Sequence, residues 1–404
     1  MDIGIGLSTE KDPILAAKEA SGTARINLSP SSKIDLAIVF SSIDLACPTL
    51  LKTIGGFLGG APLIGCSGAA IISDKGIFKH GLVILLLTFP PGLYFNVAVT
   101  KEIRTRTPVI SGEELGEKLL YGSRDTRRDL SVVFSDGLID DGSGFIYGLQ
   151  ERLGKSFPLI GGSASDNLRF FRTYLYFNRE VLTDAAVGVL LGGGKLNFGM
   201  GIKHGWKPLG KPHQVTLSKG NAVFEIDGLP AVRLYEEYLA QNTAELKKNL
   251  KHISILYPLG IYLSGEDEYL LRNLVSIENN GALRFQGDIP QDSQVRLMIG
   301  TKESCLNATH QAAEEAKTGL FGPAFNITKK GTKYFVLVFD SISRHMLLRR
   351  EAHKELEIIK EKLGQDTPII GLCTYGEQAP LKAINYRGRA YFHNQTITIL
   401  AIGG

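Results

Sequence analysis

The chain has little of several things, and each shortage bears on function. Its 404 residues include four cysteines, Cys47, Cys66, Cys305 and Cys373, scattered with no Cys-x-x-Cys pair. That spacing supports neither a disulfide framework nor a thiolate zinc site. Met1-Asp2-Ile3-Gly4 offers no basic stretch to open a secretory leader, so a reducing, cytoplasmic setting is expected. The eight histidines form no His-Glu-x-x-His, and none stands at ligand spacing from a cysteine, so neither metal nor cofactor is expected. The longest aliphatic run, Leu82 to Leu87, falls far short of the roughly 20 residues that a spanning helix needs. It reads as a buried strand, and no membrane insertion is expected. Excess charge is also scarce, the formal net charge being +4. The basic clusters Arg124 to Arg128, Lys247 to Lys251 and Arg344 to Arg350 carry no interleaved aromatics. They read as solvated helix faces or loops, and no nucleic-acid partner is expected.

What the chain does have is a phrase that occurs three times. Pro62-Leu63-Ile64-Gly65-Cys66-Ser67 is echoed by Pro158-Leu159-Ile160-Gly161-Gly162-Ser163 and by Pro368-Ile369-Ile370-Gly371-Leu372-Cys373. Each copy follows an apolar run that closes in a Val-Phe pair and a polar turn, at Val39-Phe40, Val133-Phe134 and Val338-Phe339. A helix-like stretch lies between run and phrase, so the repeated unit is strand, helix, strand. Such units, mixed with antiparallel hairpins, predict an α/β fold of layered mixed β-sheets with outer helices, in the order helix, sheet, sheet, helix. The expected domains are residues 1–225, made of two duplicated units of about 1–110 and 111–225, and residues 226–404.

Local signals add detail. Ser8-Thr9 is placed to cap a helix running to Gly22, and Ser111 with Glu114 resembles a capping box opening a helix to Tyr121. Gly192-Gly193-Gly194-Lys195 invites a phosphate-loop reading, but Leu196 stands where Ser or Thr should bind magnesium. The segment lies between two strands and reads as a hairpin turn.

Ligands of α/β sheets collect outside the carboxyl ends of strands, where the three phrases end. Gly65, Gly161 and Gly371 either let a ligand approach or permit tight turns. Cys66 and Cys373 are candidate nucleophiles without a local base, and buried small side chains are the simpler reading. Glu377, beside Tyr375 and Gly376, could hold an ammonium, and Arg344 in the same unit could hold a carboxylate. Together they would suit a zwitterion such as an amino acid; the alternative is a structural Glu–Arg pair. Asn394 stands where His80 and Asn178 stand in the other units, which favours a turn role.

Several longer motifs carry a family resemblance. Phe134-Ser135-Asp136-Gly137-Leu138, Leu159 to Asp166, Gly205-Trp206-Lys207-Pro208-Leu209-Gly210 and Gly65-Cys66-Ser67 resemble the N-terminal domain of the FIST family (F-box and intracellular signal transduction proteins). Leu271-Arg272-Asn273, Asp288-Ile289-Pro290, Thr374-Tyr375-Gly376-Glu377 and Phe392-His393-Asn394-Gln395-Thr396 resemble its C-terminal domain. The resemblance implies a sensory module for small ligands such as amino acids, and not an established enzyme. It places the ligand in the C-terminal half, near Ser341, Arg344, Cys373, Tyr375, Glu377 and Asn394, with Asp166 from the second unit. Two departures stand out. Ser341 takes the place of a frequent Cys, and Gly68-Ala69-Ala70-Ile71 lacks the acidic group usual after Gly-Cys-Ser. With no F-box-like or output domain recognised, the signal is expected to pass to a separate downstream signalling protein. The rival expectations are a hydrolase using Cys66, Ser67, Ser163 or Cys373 with a nearby histidine, and a protein-interaction scaffold.

Overall fold

The computed structural model describes residues 1–123, 126–194, 196–266, 268–322, 333–382 and 388–404. Three copies of one plan share a core. The first runs β1 (Asp2–Ser8), α1 (Pro13–Ile26), β2 (Leu36–Ser42), α2 (Pro48–Gly55), β3 (Leu63–Gly68), the hairpin β4 (Ile71–Ser73) and β5 (Gly76–Phe78), and β6 (Leu82–Thr88). The second repeats it as β7 (Tyr94–Lys101), α3 (Pro108–Leu120), β8 (Arg128–Ser135), α4 (Gly142–Leu153), β9 (Leu159–Ser163), β10 (Leu175–Phe177), β11 (Glu180–Leu182) and β12 (Ala185–Gly192).

The third opens with β13 (Asn197–Lys203) and then leaves the plan for an inserted lobe. The lobe holds β14 (Lys207–Lys219), β15 (Ala222–Ile226), β16 (Leu229–Pro230), α5 (Val232–Leu239), α6 (Thr243–Lys248), α7 (Leu250–Leu256), β17 (Leu259–Tyr262), β18 (Tyr269–Arg272), β19 (Leu274–Ile277), β20 (Leu283–Phe285) and β21 (Gln294–Ile299). The plan resumes with α8 (Lys302–Phe321), β22 (Tyr334–Ser341), α9 (Ile342–Leu348), α10 (His353–Leu363), β23 (Ile369–Thr374), β24 (Glu377–Pro380), β25 (Ala390–His393) and β26 (Ile397–Gly403).

Each copy centres on a parallel pair, β2 with β3, β8 with β9 and β22 with β23, flanked by antiparallel strands. The hairpins after the phrases do not stay at home. β4–β5 joins β23 of the third copy, β10–β11 joins β3 of the first, and β24–β25 joins β9 of the second. The exchange is cyclic, so every sheet is completed by a neighbouring copy.

The fold is thus mixed α/β, with mixed sheets flanked by helices. Strands such as Leu36–Ser42 are buried along their whole length because both faces are covered. The inner faces of all three sheets meet in one apolar core. The Phe of each Val-Phe pair stands at its centre, with Phe40, Phe134 and Phe339 ring centroids 5.3, 6.3 and 5.8 Å apart. Outer faces carry helix pairs: α1 and α2, α3 and α4, α8 and α10. The lobe packs around a core of its own. Among the described residues no helix is long and apolar enough to cross a membrane.

Several local expectations change. β7 pairs with β12, so residues 94–101 open the second unit instead of closing the first, and the unit break falls before 94 and not near 110. β13 pairs with β26, so Gly192 to Gly194 link two different sheets and form no hairpin. Lys195, like Arg124, lies outside the described residues. The first helix is capped by Asp12, whose carboxylate accepts the Ile14 and Leu15 amides at 2.9 Å, and it passes through Gly22 to Ile26. The third starts at Pro108, leaving Ser111 inside its first turn. In both helices proline at the first position presets φ, and that outweighs the serine cap signal. Gly65, Gly161 and Gly371 form no turn and lie inside β3, β9 and β23. A Cβ there would stand 1.8, 1.8 and 2.1 Å from the carbonyl oxygens of Val39, Val133 and Val338. Only glycine lets the parallel strands twist together so closely.

Candidate functional site

The carboxyl ends of the phrases converge in a backbone ring. The amides of Ala69, Ser165 and Tyr375 donate to the carbonyls of Cys373, Ser67 and Ser163 at 3.3, 3.0 and 3.3 Å. The second copy differs by inserting residues 167–174 before its hairpin. Asn167, Leu168 and Phe170 take left-handed φ values of 59°, 63° and 51°. Buried Asp166 holds this loop, its carboxylate accepting the amides of Phe170, Phe171 and Arg172 at 2.8 to 2.9 Å. Three charge-assisted bonds offset the unfavourable backbone. The loop also reaches the third copy. Phe170 stacks on Tyr375 with centroids 4.7 Å apart, and the Tyr375 hydroxyl donates to Asp166. Burial first, then the hydrogen bond to Asp166 and its charge, push the Tyr375 phenol up.

Arg344 lies at the heart of a buried network. Its guanidinium donates to Asp340 at 3.0 Å, Glu355 at 2.5 Å, Thr309 at 2.8 Å and the carbonyls of His204 and Cys305 at 2.5 and 3.0 Å. Glu377 is fully buried, its carboxyl bonded to the Thr374 hydroxyl at 2.5 Å and the Thr396 amide at 3.1 Å. Burial pushes its carboxyl up to about 8, against the opposing pull of these bonds and of Arg344. Asp340 is also raised, by burial and by the Glu355 charge. Asn394 accepts the Asn273 amide at 3.2 Å, and the Ser341 amide donates to the Thr396 carbonyl at 3.0 Å. The seven predicted residues therefore form two buried groups: Asp166 with Tyr375, and Arg344 with Glu377, Ser341, Asn394 and Cys373 around the ends of the third copy. All are at most 3% exposed.

The candidate nucleophiles are tied into the fold. Burial pushes the Cys66 and Cys373 thiols up, away from thiolate formation. Ser67 Oγ donates to the Ser165 carbonyl at 3.0 Å, and Ser163 Oγ pairs with Ser135 Oγ at 3.0 Å. Among the described residues none of the four bonds a histidine.

Open space begins one layer out. A cleft of about 460 Å³ lies where the start of α4 faces β17, β18 and β25. Asp141 caps α4 by accepting the Gly144 amide at 2.7 Å, and burial raises its carboxyl, with nearby Asp288 adding to the effect. Arg272 is buried, its Nη1 donating to the Leu271 and Phe392 carbonyls at 3.0 and 2.9 Å. Its Nη2 makes only long bonds, 3.4 Å each, to Ser143 and Asp288. Arg389 lies over the Tyr147 ring at 5.2 Å and has no carboxylate partner among the described residues. The cleft thus offers charges of both signs beside aromatic and aliphatic walls.

Comparison with known proteins assigns both walls. The FIST N domain matches residues 35–229 and the FIST C domain residues 231–380. The chain belongs to the FIST family. FIST domains are sensory modules of signal transduction. An uncharacterized protein of Methanocaldococcus jannaschii is 29% identical over 71% of this chain, and the chain spans 58% of that relative's length. Uncharacterized proteins of Mycobacterium tuberculosis are 25% identical over 95% of the chain and 96% of their own length. Among solved structures, a cyanuric acid hydrolase from A. caulinodans aligns over 99% of this chain and 98% of its own, at 9% identity and a TM-score of 0.35. A likeness at that level carries nothing about chemistry.

The cleft lies between the two FIST domains, with Asp141 and Tyr147 from the N domain and Arg272 and Asp288 from the C domain. None of the seven predicted residues lines it. Sequence reasoning missed Asp141, Tyr147 and Arg389, although Leu271-Arg272-Asn273 and Asp288-Ile289-Pro290 stood out as motifs. That signal was available, and its use was hidden by the 116 residues of chain between Arg272 and Arg389.

Proposed function

We propose that this FIST protein senses a small, amino-acid-like ligand held in the interdomain cleft. The observation that carries this reading is the pairing, within about 460 Å³, of Asp141 and Asp288 with Arg272 and Arg389. Arg389 and the Nη2 end of Arg272 take the carboxylate, Asp141 takes the ammonium, and the side chain rests on Leu270, Tyr391 and Phe392. Of the seven buried residues, Asn394 supports the cleft from behind. Phe392, whose carbonyl accepts Arg272, is close in sequence to Asn394, whose side chain accepts the amide next to Arg272. A ligand that draws the domains together is thereby coupled to the strand ends around Glu377 and Arg344. The setting is cytoplasmic, consistent with four free cysteines, and the signal passes to a separate protein.

Calorimetry of the folded protein against a panel of amino acids tests this. Binding of at least one is expected, with Arg389→Ala and Asp141→Asn each weakening it about tenfold or more, the scale of a lost charge-assisted bond. A folded protein that binds none of them overturns the proposal.

A further inference from the structure

A second cleft, of about 510 Å³, opens between α7, α9 and the start of α8. It is built from the two basic runs of the C-terminal half, Lys247 to Lys251 and Arg344 to Arg350, each of which reads alone as a solvated face. The fold packs α7 against α9 and closes a third side with the start of α8. Lys248 and Lys251 come from the first run, Arg349 from the second, and Lys302 from the first turn of α8. Among the described residues no acidic side chain lines the cleft.

The four cations are solvent-exposed and ring the cleft. Lys302 is bridged to Glu351 at 2.6 Å, but Lys248, Lys251 and Arg349 have no carboxylate partner among the described residues. Folded surfaces ordinarily intersperse the two signs, since like charges brought together repel. Arg349 adopts a left-handed φ of 54°, rarely taken by residues other than glycine, where α9 breaks into a short turn. Lys302 occupies the first position of a 20-residue helix, whose amino end already carries positive partial charge. A lysine there opposes helix stability, offset by Glu303 in the same turn, and adds to the positive charge at the rim of the cleft. The floor between the cations is apolar, formed by Ile255, Leu256, Met346 and Leu347.

We infer that this cleft is a binding site for a small organic phosphate carrying two or more negative charges, distinct from the interdomain cleft. Three cations without a carboxylate partner among the described residues match a multiply charged phosphate better than one carboxylate, and the floor accepts the organic part. A nucleic-acid strand fits poorly, because among the described residues the lining has no Phe, Tyr or Trp, and His252 is its one ring on which a base could stack.

Calorimetry with ATP and with inorganic pyrophosphate, at low and at high salt, tests the site. Both are expected to bind at low salt, ATP more tightly because it also reaches the floor, with affinity falling as salt rises. Lys251→Glu and Arg349→Glu are expected to weaken both by about tenfold or more. Lys52→Glu, an exposed charge reversal on α2, is expected to leave them unchanged, as is Asp141→Asn in the other cleft. Circular dichroism establishes that each variant is folded. No binding of either probe to the folded protein overturns the inference, and so does an equal loss in Lys52→Glu, which would mark the attraction as diffuse. Failure of amino-acid binding in the interdomain cleft would leave this result untouched.

Discussion

The hydroxyl of Tyr375 donates to the carboxylate of Asp166 across the seam between the two FIST domains, joining residues 209 apart in the chain. Asp166 also holds the only long insertion at the phrase ends, so one side chain organises a loop and a domain contact together.

Removing the phenolic donor therefore separates two effects. Tyr375→Phe leaves Asp166 with its three backbone amides, and a loss of about 1–2 kcal/mol is expected, read as a lowered urea midpoint. Asp166→Ala removes all four bonds and releases Asn167, Leu168 and Phe170 from their left-handed backbone. It should destabilise more, and amide exchange at Phe170, Phe171 and Arg172 should rise at least tenfold. Unchanged exchange in that variant would refute the role given to Asp166.

Glu377 makes stability depend on pH in a defined direction. Its folded-state value of about 8 lies above the ordinary carboxyl value of 4.5, so the native state holds a proton that the unfolded chain has released. That contribution is complete below pH 4.5 and is lost as pH rises through 8. His393 is lowered by burial from 6.5 to about 4, so its effect is confined below pH 6.5 and has the opposite sign. From pH 6.5 to 8 Glu377 is clear of His393 and contributes a fall of about 2 kcal/mol, to which Asp340, raised in the same direction, adds with the same sign. Glu377→Gln should make the profile shallower in that interval, as measured by urea titration at each pH; an unchanged slope would count against the assignment.

The phrase glycine predicts opposite outcomes for the same substitution at two places. Gly161→Ala would set a methyl against the Val133 carbonyl and should cost about 3 kcal/mol or more. Gly22→Ala, inside α1 with nothing within 4 Å of the new methyl, should stabilise by about 0.5–1 kcal/mol. Thermal melts of the two variants decide between this account and one in which Gly161 exists to admit a ligand.

The sequence by itself determined the repetition and the strands. Val-Phe runs and Pro-x-Ile-Gly phrases are local patterns, and burial on both faces writes itself as an unbroken apolar run. Family membership was legible for the same reason, being carried by the order of short motifs. Helix starts were less so, because Pro13 and Pro108 outweighed the serines beside them. Only the tertiary structure decided that each copy lends its hairpin to another copy's sheet, since β4 finds β23 across some 300 residues and no local signal records that choice. It also decided the fate of the charges. Arg344 and Glu377 were set at the end of a strand by sequence, and the packing of α8 and α10 enclosed Arg344 among Thr309, Glu355 and Asp340. Asp141, Arg272 and Arg389 lie on three elements with nothing in common along the chain, and meet only because the inserted lobe folds back against α4. Charge and burial depend on what arrives from elsewhere in the chain, and that is why the architecture could be read in the sequence while the clefts could not.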